Sequence, residues 1–266
     1  MPLEVISSRD NSLLRLARSV RDGKTTDLIF VEGLRLCGEA LISGISIEAV
    51  IVSSELASKG KAASLLSRLG EVSKRVASVS EKLLESISYT KTPQGIVLLA
   101  TRPDSDENDF AADTLEPPLV VIMHRINNPV NVGAILRTAE AAGATGAIAT
   151  QHTTDPFSPK SLRGAMGSAF RLPVWFGPSY VQALDWCTQR GIQTICADVH
   201  ASKGYEEVDW LRPSAVILGP ESNGLSQEEV AAANEAVRIP MKEPAESLNV
   251  AVACGILLYE AMRHRR

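Results

Sequence analysis

Short apolar runs alternate along the chain with longer segments in which apolar residues recur at the spacing of a helix. In the first part of the chain the apolar runs predict strands at residues 28–31, 49–53, 75–79 and 95–100. The second part repeats the pattern, with strands predicted at 119–123, 146–150, 174–176, 192–197, 215–219 and 236–240. Because short strands separated by helices of about ten residues pair in parallel through crossover helices, the pattern predicts an α/β fold.

The segments between these strands predict helices, and capping residues indicate several of their ends. Helices are predicted over residues 12–20, 33–44, 61–70, 80–88, 131–143, 158–170, 179–191 and 226–234. Ser226 and Glu229 have the spacing of a capping box, and Ser158 is an N-cap placed before a proline. Gly143 and Gly191 are predicted to end the helices that precede them.

Composition narrows the class of protein. The 266 residues include 45% hydrophobic residues and carry a formal net charge of −4, which excludes an intrinsically disordered chain. No apolar run approaches the roughly 20 residues that span a bilayer, and the first residues lack the pattern of a secretory signal. We therefore expect a soluble, cytoplasmic protein. The 4 cysteines and 4 histidines show no metal-ligand spacing, which predicts reduced, buried thiols and no metal site.

Charge is distributed unevenly along the chain. Residues 1–103 carry 14 Lys+Arg and 11 Asp+Glu, whereas residues 104–266 carry 13 and 20. An acidic stretch with prolines and no apolar periodicity lies at this division. The sequence therefore predicts a domain at 1–103, a linker at 104–116 and a second domain at 117–266. The mild positive balance of the first domain hints at a polyanionic partner.

Three segments that follow predicted strands of the second part depart from the regular pattern, and the carboxyl ends of parallel strands are where such sheets bind ligands. In the first segment, Asn131 is predicted to cap the helix that follows, and Arg137 lies among apolar residues of that helix. Arg137 is either a side chain that extends to solvent or a fixed cation aimed at an anionic substrate group.

The second segment, residues 216–226, ends a buried strand with Gly219 and places the carboxylate of Glu221 on the turn. It is either an ordinary strand–turn–helix connection or a ligand-binding loop, and it matches neither the dinucleotide fingerprint nor the P-loop. The third segment contains Ser247, a predicted N-cap, followed by a helix that is apolar nearly all round. Such a helix is either central to the core or covered by a second subunit.

Known catalytic patterns such as GxSxG and HExxH are missing from the sequence. Taken alone, the residues indicate a small-molecule-binding α/β domain with a mildly basic appendage.

A family resemblance adds to this interpretation. The second part resembles the SpoU/TrmH family of SPOUT methyltransferases in three motifs, which match in order and spacing: NNPVNVGAILRTAEAAGA (127–144), VILGPESNGLS (216–226) and IPMKEPAESLNVAVACGILLYE (239–260). The first part resembles the family's small RNA-binding domain, whose fold is related to certain ribosomal proteins, in the segments FVEGLRLCGEAL (30–41) and SYTKTPQGIV (88–97). One local departure is Ala165, where many relatives carry serine.

The resemblance implies transfer of a methyl group from S-adenosylmethionine to a ribose 2′-hydroxyl in structured RNA. It implies a parallel sheet with a trefoil knot in the second domain, and a homodimer joined through the C-terminal helix. The positions that match the family's catalytic residues are Arg137, Asn131, Glu221, Ser247 and Asn249. Those that match its cofactor-binding residues are Leu218, Gly219, Ile239, Met241 and Leu248.

Several alternatives remain open at this point. Arg137 acts either as a base after a strong pKa shift or, as we favour, as a cation that holds phosphate while Ser247 or Asn249 orients the hydroxyl. Ribosomal RNA is favoured over transfer RNA as the substrate, by analogy with relatives. The rival functions are methylation of a base nitrogen and RNA binding without catalysis.

Overall fold

The computed structural model describes residues 4–58, 60–110 and 117–266. The chain forms two units, of which the first comprises Met1–Pro103 with Phe157–Phe170 and the second comprises Asp104–Pro156 with Arg171–Arg266. A single boundary near residue 103 does not describe this arrangement, because a segment from the later part of the chain returns to the first unit. Each unit has its own sheet.

The first unit contains a five-stranded sheet in the order β1-β4-β3-β5-β2. Its elements up to Pro103 are β1 (Glu4–Ile6), α1 (Ser12–Arg21), β2 (Leu28–Glu32), α2 (Leu34–Ser43), β3 (Ile47–Ser53), α3 (Ser54–Ser58), α4 (Ala63–Val72), β4 (Val76–Val79), α5 (Glu81–Ile87) and β5 (Ile96–Thr101). The predicted strands and helices are present, and the short elements β1 and α3 were not predicted.

Parallel pairing, however, was wrong for part of this sheet. Strand β5 runs antiparallel to both of its neighbours, β2 and β3. The connection before it, residues 80–95, contains the short helix α5 and returns the chain to the edge of the sheet at which β4 ended. Strand β5 therefore starts from that edge and runs back.

The second unit contains a seven-stranded sheet in the order β10-β12-β9-β11-β6-β7-β8, and every pairing in it is parallel. The remaining elements of the chain are β6 (Leu119–Met123), α6 (Pro129–Ala141), β7 (Gly146–Ala149), α7 (Pro159–Ala165), α8 (Ser168–Arg171), β8 (Val174–Phe176), α9 (Tyr180–Gln189), β9 (Gln193–Ala197), β10 (Lys203–Gly204), β11 (Ser214–Leu218), α10 (Gln227–Ala232), β12 (Glu235–Arg238) and α11 (Val250–Arg265). The predicted parallel α/β sheet is thereby confirmed. All residues of the central strands β6 and β11 are buried, as expected for a parallel sheet covered on both faces.

Part of the predicted linker belongs to the second unit. The ring of Phe110 packs edge-on against Trp186 at 5.3 Å between centroids, and the indole N–H of Trp186 donates to the carbonyl of Glu107 at 3.0 Å. Ser105 forms an isolated parallel bridge with Trp175. Residues 111–116 of the predicted linker lie outside the described residues.

Most predicted helix ends are confirmed. The Ser226–Glu229 capping box is present, and the side chain of Ser158 accepts from the backbone of Ser161. Gly143 and Gly191 take left-handed φ values of 79° and 65° just after α6 and α9. The helix predicted over 158–170 is instead interrupted after α7, where Met166 has a φ of 50°.

Two predicted caps were wrong. Asn128, rather than Asn131, caps α6, because Pro129 lacks an N–H and occupies the first helical position, which fixes the cap one residue earlier. Asn249, rather than Ser247, caps α11, and its side-chain oxygen accepts from the backbone of Ala251 and Val252. Both misplaced residues nevertheless line the cleft described below.

All four cysteines are free and buried. Burial raises the pKa of the Cys187 and Cys254 thiols to about 12, so neither supplies a thiolate nucleophile near neutral pH. Within residues 4–58, 60–110 and 117–266, no helix is long and apolar enough to cross a membrane. The same residues contain no group of three acidic, histidine or cysteine side chains placed to hold a metal ion.

Candidate functional site

A cleft of about 570 Å³ opens at the carboxyl ends of β9, β11 and β12. Its walls come from the segments that directly follow these strands, at residues 197–200, 218–225 and 239–250. The structure brings all five predicted cofactor-binding residues to this cleft: Leu218, Gly219, Ile239, Met241 and Leu248. Their contact with a cofactor stays a prediction.

Gly219 is required by close packing of the loop after β11. A Cβ atom at this position would lie 2.8 Å from Leu225 Cγ and 2.9 Å from the Leu225 backbone nitrogen. Backbone cannot move aside as a flexible side chain can, so any larger residue would push the loop open. Gly224, with a φ of +65°, then turns the chain toward α10. The two glycines keep residues 219–225 folded into one wall of the cleft.

Glu221 joins this loop to the start of α6. Its carboxylate accepts hydrogen bonds from the backbone N–H groups of Asn127 at 3.1 Å and Asn128 at 3.2 Å. The side-chain amide of Asn131 donates to the same carboxylate at 3.0 Å. Partial burial pushes the pKa of Glu221 up, but these hydrogen bonds outweigh it and hold the pKa below its usual value. Glu221 is therefore an ionised acceptor that holds two loops together.

Asn131 extends the network to the C-terminal helix. Its side-chain oxygen accepts from the amide of Asn249 at 3.2 Å, and the oxygen of Asn249 accepts from the first backbone N–H groups of α11. Three of the predicted site residues, Glu221, Asn131 and Asn249, thus form one hydrogen-bonded chain. It connects the loop after β11, helix α6 and the beginning of α11.

The other two predicted catalytic residues are placed differently. Ser247 lines the cleft and is exposed. Arg137 is exposed on α6 and does not line the cleft. No group in the described part of the chain forms a hydrogen bond or ion pair with Arg137. Its guanidinium group is free to bind an anion, and it lies outside the wall that would hold a cofactor.

Comparison with known proteins decides the family. The model of the SpoU rRNA methylase family matches residues 118–259, more than half of the chain. This protein belongs to the SpoU rRNA methylase family. A second model, the MRM3-like substrate binding domain, matches residues 13–98. The resemblance found from the three motifs is confirmed: the protein is an RNA methyltransferase, and its cofactor is S-adenosylmethionine.

Individual relatives match most or nearly all of the chain. An uncharacterised tRNA/rRNA methyltransferase of Synechocystis is 32% identical, covering 98% of this chain and 94% of the relative. A 23S rRNA (uridine-2′-O)-methyltransferase of Streptomyces viridochromogenes is 33% identical over 72% of this chain and 68% of its own length. The structure of an rRNA methyltransferase from Sinorhizobium meliloti with bound AdoMet superposes with a TM-score of 0.85, at 30% identity and 98% coverage of both chains.

The cleft of this SpoU protein suits S-adenosylmethionine. Apolar side chains such as Leu218, Ile239 and Leu248 can flank the adenine, and the tight turn at Gly219 exposes backbone groups for hydrogen bonds. The cavity volume lies in the range of small-molecule sites. The cofactor supplies an activated methyl group when bound.

Sequence reasoning missed one wall of the cleft. Asp198, Val199 and His200 line it from the segment just after β9. A signal was present, because polar residues that follow a buried strand mark the ligand-binding edge of a parallel sheet. The same rule identifies the segments after β6 and β11.

A second missed feature is a partly buried cluster of side chains around Glu229. The ring of His124 contacts Thr150 Oγ1 at 2.9 Å and Glu229 Oε1 at 3.1 Å. Arg125 donates to both oxygens of Glu229, at 2.7 and 2.9 Å. Glu229 also belongs to the capping box of α10, and Val230 beside it lines the cleft. No sequence signal joins His124 to Glu229, because 105 residues separate them.

Both titratable groups of this cluster prefer the forms present at neutral pH. Burial lowers the pKa of His124 and keeps the ring neutral, although the hydrogen bond to Glu229 opposes this shift. Burial raises the pKa of Glu229, but the hydrogen bonds from Ser226 and His124 and the charge of Arg125 outweigh it and lower the pKa overall. A carboxyl group with a lowered pKa stabilises the fold above its unfolded pKa of about 4.3, and this contribution is lost as the pH falls through the folded value.

We expect Glu229→Gln to lower the free energy of unfolding at pH 7 by about 1–2 kcal/mol, because the amide loses the ion pair with Arg125. The difference from the wild type should begin to shrink below about pH 4.3 and should continue to shrink as the pH falls through the lower pKa of the native carboxylate. Denaturant unfolding at pH 7 and pH 3.5 measures both effects. Glu228→Gln, an exposed neighbour in the same turn, is the matched control. An equal loss of unfolding free energy at both pH values would show that the charge of Glu229 does not contribute to stability.

Proposed function

We propose that this SpoU protein transfers the methyl group of S-adenosylmethionine to a ribose 2′-hydroxyl in structured RNA, with ribosomal RNA favoured over transfer RNA. The observation that carries the proposal is the hydrogen-bonded chain Glu221–Asn131–Asn249 at the rim of the cofactor cleft. The relative from Streptomyces viridochromogenes, named as a 23S rRNA 2′-O-methyltransferase, supports the choice of atom and of RNA class.

Transfer of a methyl group from a sulfonium requires an oxygen nucleophile in line with the S–CH3 bond, so positioning supplies much of the rate. The O–CH3 bond forms as the S–CH3 bond breaks, the sulfur leaves as a neutral thioether, and the hydroxyl proton passes to water. Ser247 and Asn249 line the cleft and offer a hydroxyl and an amide that can orient a ribose hydroxyl. Asn249 is itself held by Asn131 and by its capping bonds to α11. In this proposal Arg137 binds a phosphate next to the target ribose, since its guanidinium is free and lies off the cofactor wall.

The direct test of this function is a map of 2′-O-methyl sites across total RNA, with and without the gene. Loss of one or a few sites in ribosomal RNA is the expected result, because a 2′-O-methyl group protects its linkage from alkaline cleavage. A methylated nucleotide whose linkage stays alkali-labile would instead favour modification of a base. Binding of S-adenosylmethionine without methyl transfer to any RNA would favour an RNA-binding protein without catalysis.

The two units are proposed to divide the work, the first binding RNA and the second holding the cofactor. When charge is counted by unit, the first carries 16 Lys+Arg and 11 Asp+Glu and the second carries 11 and 20. The segment that returns to the first unit, Phe157–Phe170, adds Lys160 and Arg163 and no carboxylate. The basic excess of the first unit is therefore larger than the linear sequence indicates.

One loop of the first unit is shaped for contact with RNA. The carboxylate of Glu32, only 7% exposed, accepts from the backbone of Tyr89 at 2.9 Å and from the hydroxyl of Thr90 at 2.6 Å. This fixed turn leaves the ring of Tyr89 and the side chain of Lys91 exposed. An aromatic ring beside a cation suits an unpaired base and its phosphate.

A homodimer joined through α11 belongs to the same proposal. Val252 and Tyr259 are 51% and 52% exposed, and Ile256 lies between them at helical spacing. They form an apolar stripe on a helix whose other side packs on the core. The trefoil knot implied by the family also belongs here, supported by a cleft whose walls are the loops after β11 and β12.

We expect the double variant Ile256→Glu/Tyr259→Glu to be monomeric or insoluble, because two carboxylates would be buried at the proposed interface. Light scattering at micromolar concentration measures the mass of the wild type and the variant. Val181→Glu, on a valine of α9 that is still more exposed at 64%, is the control and should leave the mass unchanged. A monomeric wild type would contradict the proposal.

A further inference from the structure

The lining of the cofactor cleft has an unusual charge balance. Its titratable side chains are Asp198, His200, Glu221 and Glu246. No lysine or arginine among the described residues lines the cleft. The walls therefore contain three carboxylates and one histidine, which is counted as neutral at pH 7. No cation among the described lining residues offsets the negative charge of the carboxylates.

The groups that donate hydrogen bonds to these carboxylates carry no charge. Every donor to Glu221 is a backbone N–H or the amide of Asn131. Asp198 accepts from the backbone N–H of His200 at 3.0 Å. Among the described residues, neither Asp198 nor Glu246 forms an ion pair. The negative charge of the cleft is therefore available to a ligand.

The ligand changes its charge during the reaction. S-adenosylmethionine carries a sulfonium, an ammonium and a carboxylate group, and so has one net positive charge. Once the methyl group has left, the sulfur is a neutral thioether and S-adenosylhomocysteine has no net charge. Apart from the methyl group the two molecules have the same shape, so a negative wall attracts the first more strongly than the second.

We propose that Asp198, Glu221 and Glu246 make the cleft select the cationic S-adenosylmethionine over its neutral product S-adenosylhomocysteine. The selection lowers product inhibition, because the attraction to the wall weakens in the step that forms the product. The inference rests on S-adenosylmethionine binding in this cleft, and it does not depend on which atom of the RNA is methylated.

Asp198 is the best residue for the test. Glu221 holds two loops together, so its replacement would disturb the cleft itself. Asparagine at position 198 keeps the shape of the side chain and an oxygen that can accept from the backbone of His200. Asp198→Asn thus removes charge and little else. Asp185→Asn, on the exposed face of α9 and outside the cleft, is the matched control.

The experiment is calorimetric titration of the full chain with three ligands: S-adenosylmethionine, S-adenosylhomocysteine and sinefungin, an analogue in which a protonatable amine replaces the sulfonium. For Asp198→Asn we expect the affinity for both cationic ligands to fall about three- to tenfold, as the loss of one charge from the wall of a solvated cleft would produce. The affinity for S-adenosylhomocysteine should change less than about twofold on the same argument. Glu246→Gln should act in the same direction, and Asp185→Asn should change none of the three.

Raising the salt concentration from about 0.05 to 0.5 M should reduce the wild-type preference for the cationic ligands, because added ions screen an exposed wall. An equal loss for all three ligands would mean that Asp198 is structural, and unchanged affinities would mean that its charge does not reach the ligand. Either result overturns the inference. A wild type that binds no S-adenosylmethionine would overturn it together with the cofactor site. Selective binding without RNA methylation would contradict only the proposed function.

Discussion

Arg137→Ala is expected to lower the single-turnover rate of methyl transfer by about a hundred- to a thousandfold, while S-adenosylmethionine affinity stays within about twofold. Arg137 lies on α6, exposed and outside the cofactor cleft. A cation that grips substrate phosphate contributes when RNA is bound and the transition state forms, and not when the cofactor binds alone. The rate loss corresponds to about 2–4 kcal/mol of lost transition-state stabilisation. Single-turnover methylation and calorimetry of the same preparations separate the two effects.

A lysine at the same position distinguishes two roles for Arg137. A simple phosphate clamp should keep part of the activity in Arg137→Lys, whereas a role that depends on guanidinium geometry should lose almost all of it. Arg212→Ala, an exposed cation of the second unit outside the cleft, controls for a general loss of positive charge. If cofactor affinity fell in parallel with the rate, Arg137 would be a structural residue and its assignment would be wrong.

Glu221→Gln is expected to lower both the affinity for S-adenosylmethionine and the melting temperature. The amide offers one acceptor oxygen in place of two, so at least one of the donors from Asn127, Asn128 and Asn131 faces an NH2 group. Losing a charged acceptor costs about 1.5–3 kcal/mol, and the loop that it releases forms a wall of the cleft. We expect S-adenosylmethionine affinity to fall about ten- to a hundredfold, the equivalent of that energy. The melting temperature should fall by about 3–10 °C.

The pH dependence provides an internal check on this network. The lowered pKa of Glu221 means that its contribution is complete above the unfolded value of about 4.3 and is lost as the pH falls through the folded value. Glu221 should therefore cause almost no change in the wild-type melting temperature between pH 7 and pH 5. At lower pH, the difference in melting temperature between the wild type and Glu221→Gln should shrink. Glu228→Gln, exposed and outside the cleft, is the control. Normal cofactor affinity in Glu221→Gln would contradict the role of Glu221 as the link between the loops.

The sequence predicts the centre of the second sheet well, because strands such as β6 and β11 are buried on both faces and so form continuous apolar runs. The same rule places ligand-binding residues at strand ends, and the resemblance then selects Leu218, Gly219 and Ile239, which the structure brings to one cleft. A helix cap is predicted correctly where the capping residues are neighbours in sequence, as with Ser226 and Glu229 three residues later. These features depend on neighbours in sequence.

The features that sequence reasoning missed depend on distant partners or on competing local signals. The direction of β5 depends on the edge of the sheet to which residues 80–95 return the chain, and the alternation of strands and helices does not encode this. Asn131 was expected to be a cap, but the proline at 129 moves the cap and frees Asn131 to bind Glu221, 90 residues away in sequence. The partnership of His124 with Glu229 is likewise invisible until the strands that carry their loops are assembled.

The return of Phe157–Phe170 to the first unit affects the order in which the protein is completed on the ribosome. Helix α7 packs on β2, and the guanidinium of Arg102 stacks over the ring of Phe157 at 4.6 Å. At translation rates of about 5–20 residues per second, this last piece emerges on the order of several seconds after Pro103. During that interval the nascent first unit lacks its final helix, while β6, α6 and β7 of the second unit are already being made. The two units are therefore interleaved in synthesis, and a fragment that starts at residue 117 carries α7 without the strand on which it packs.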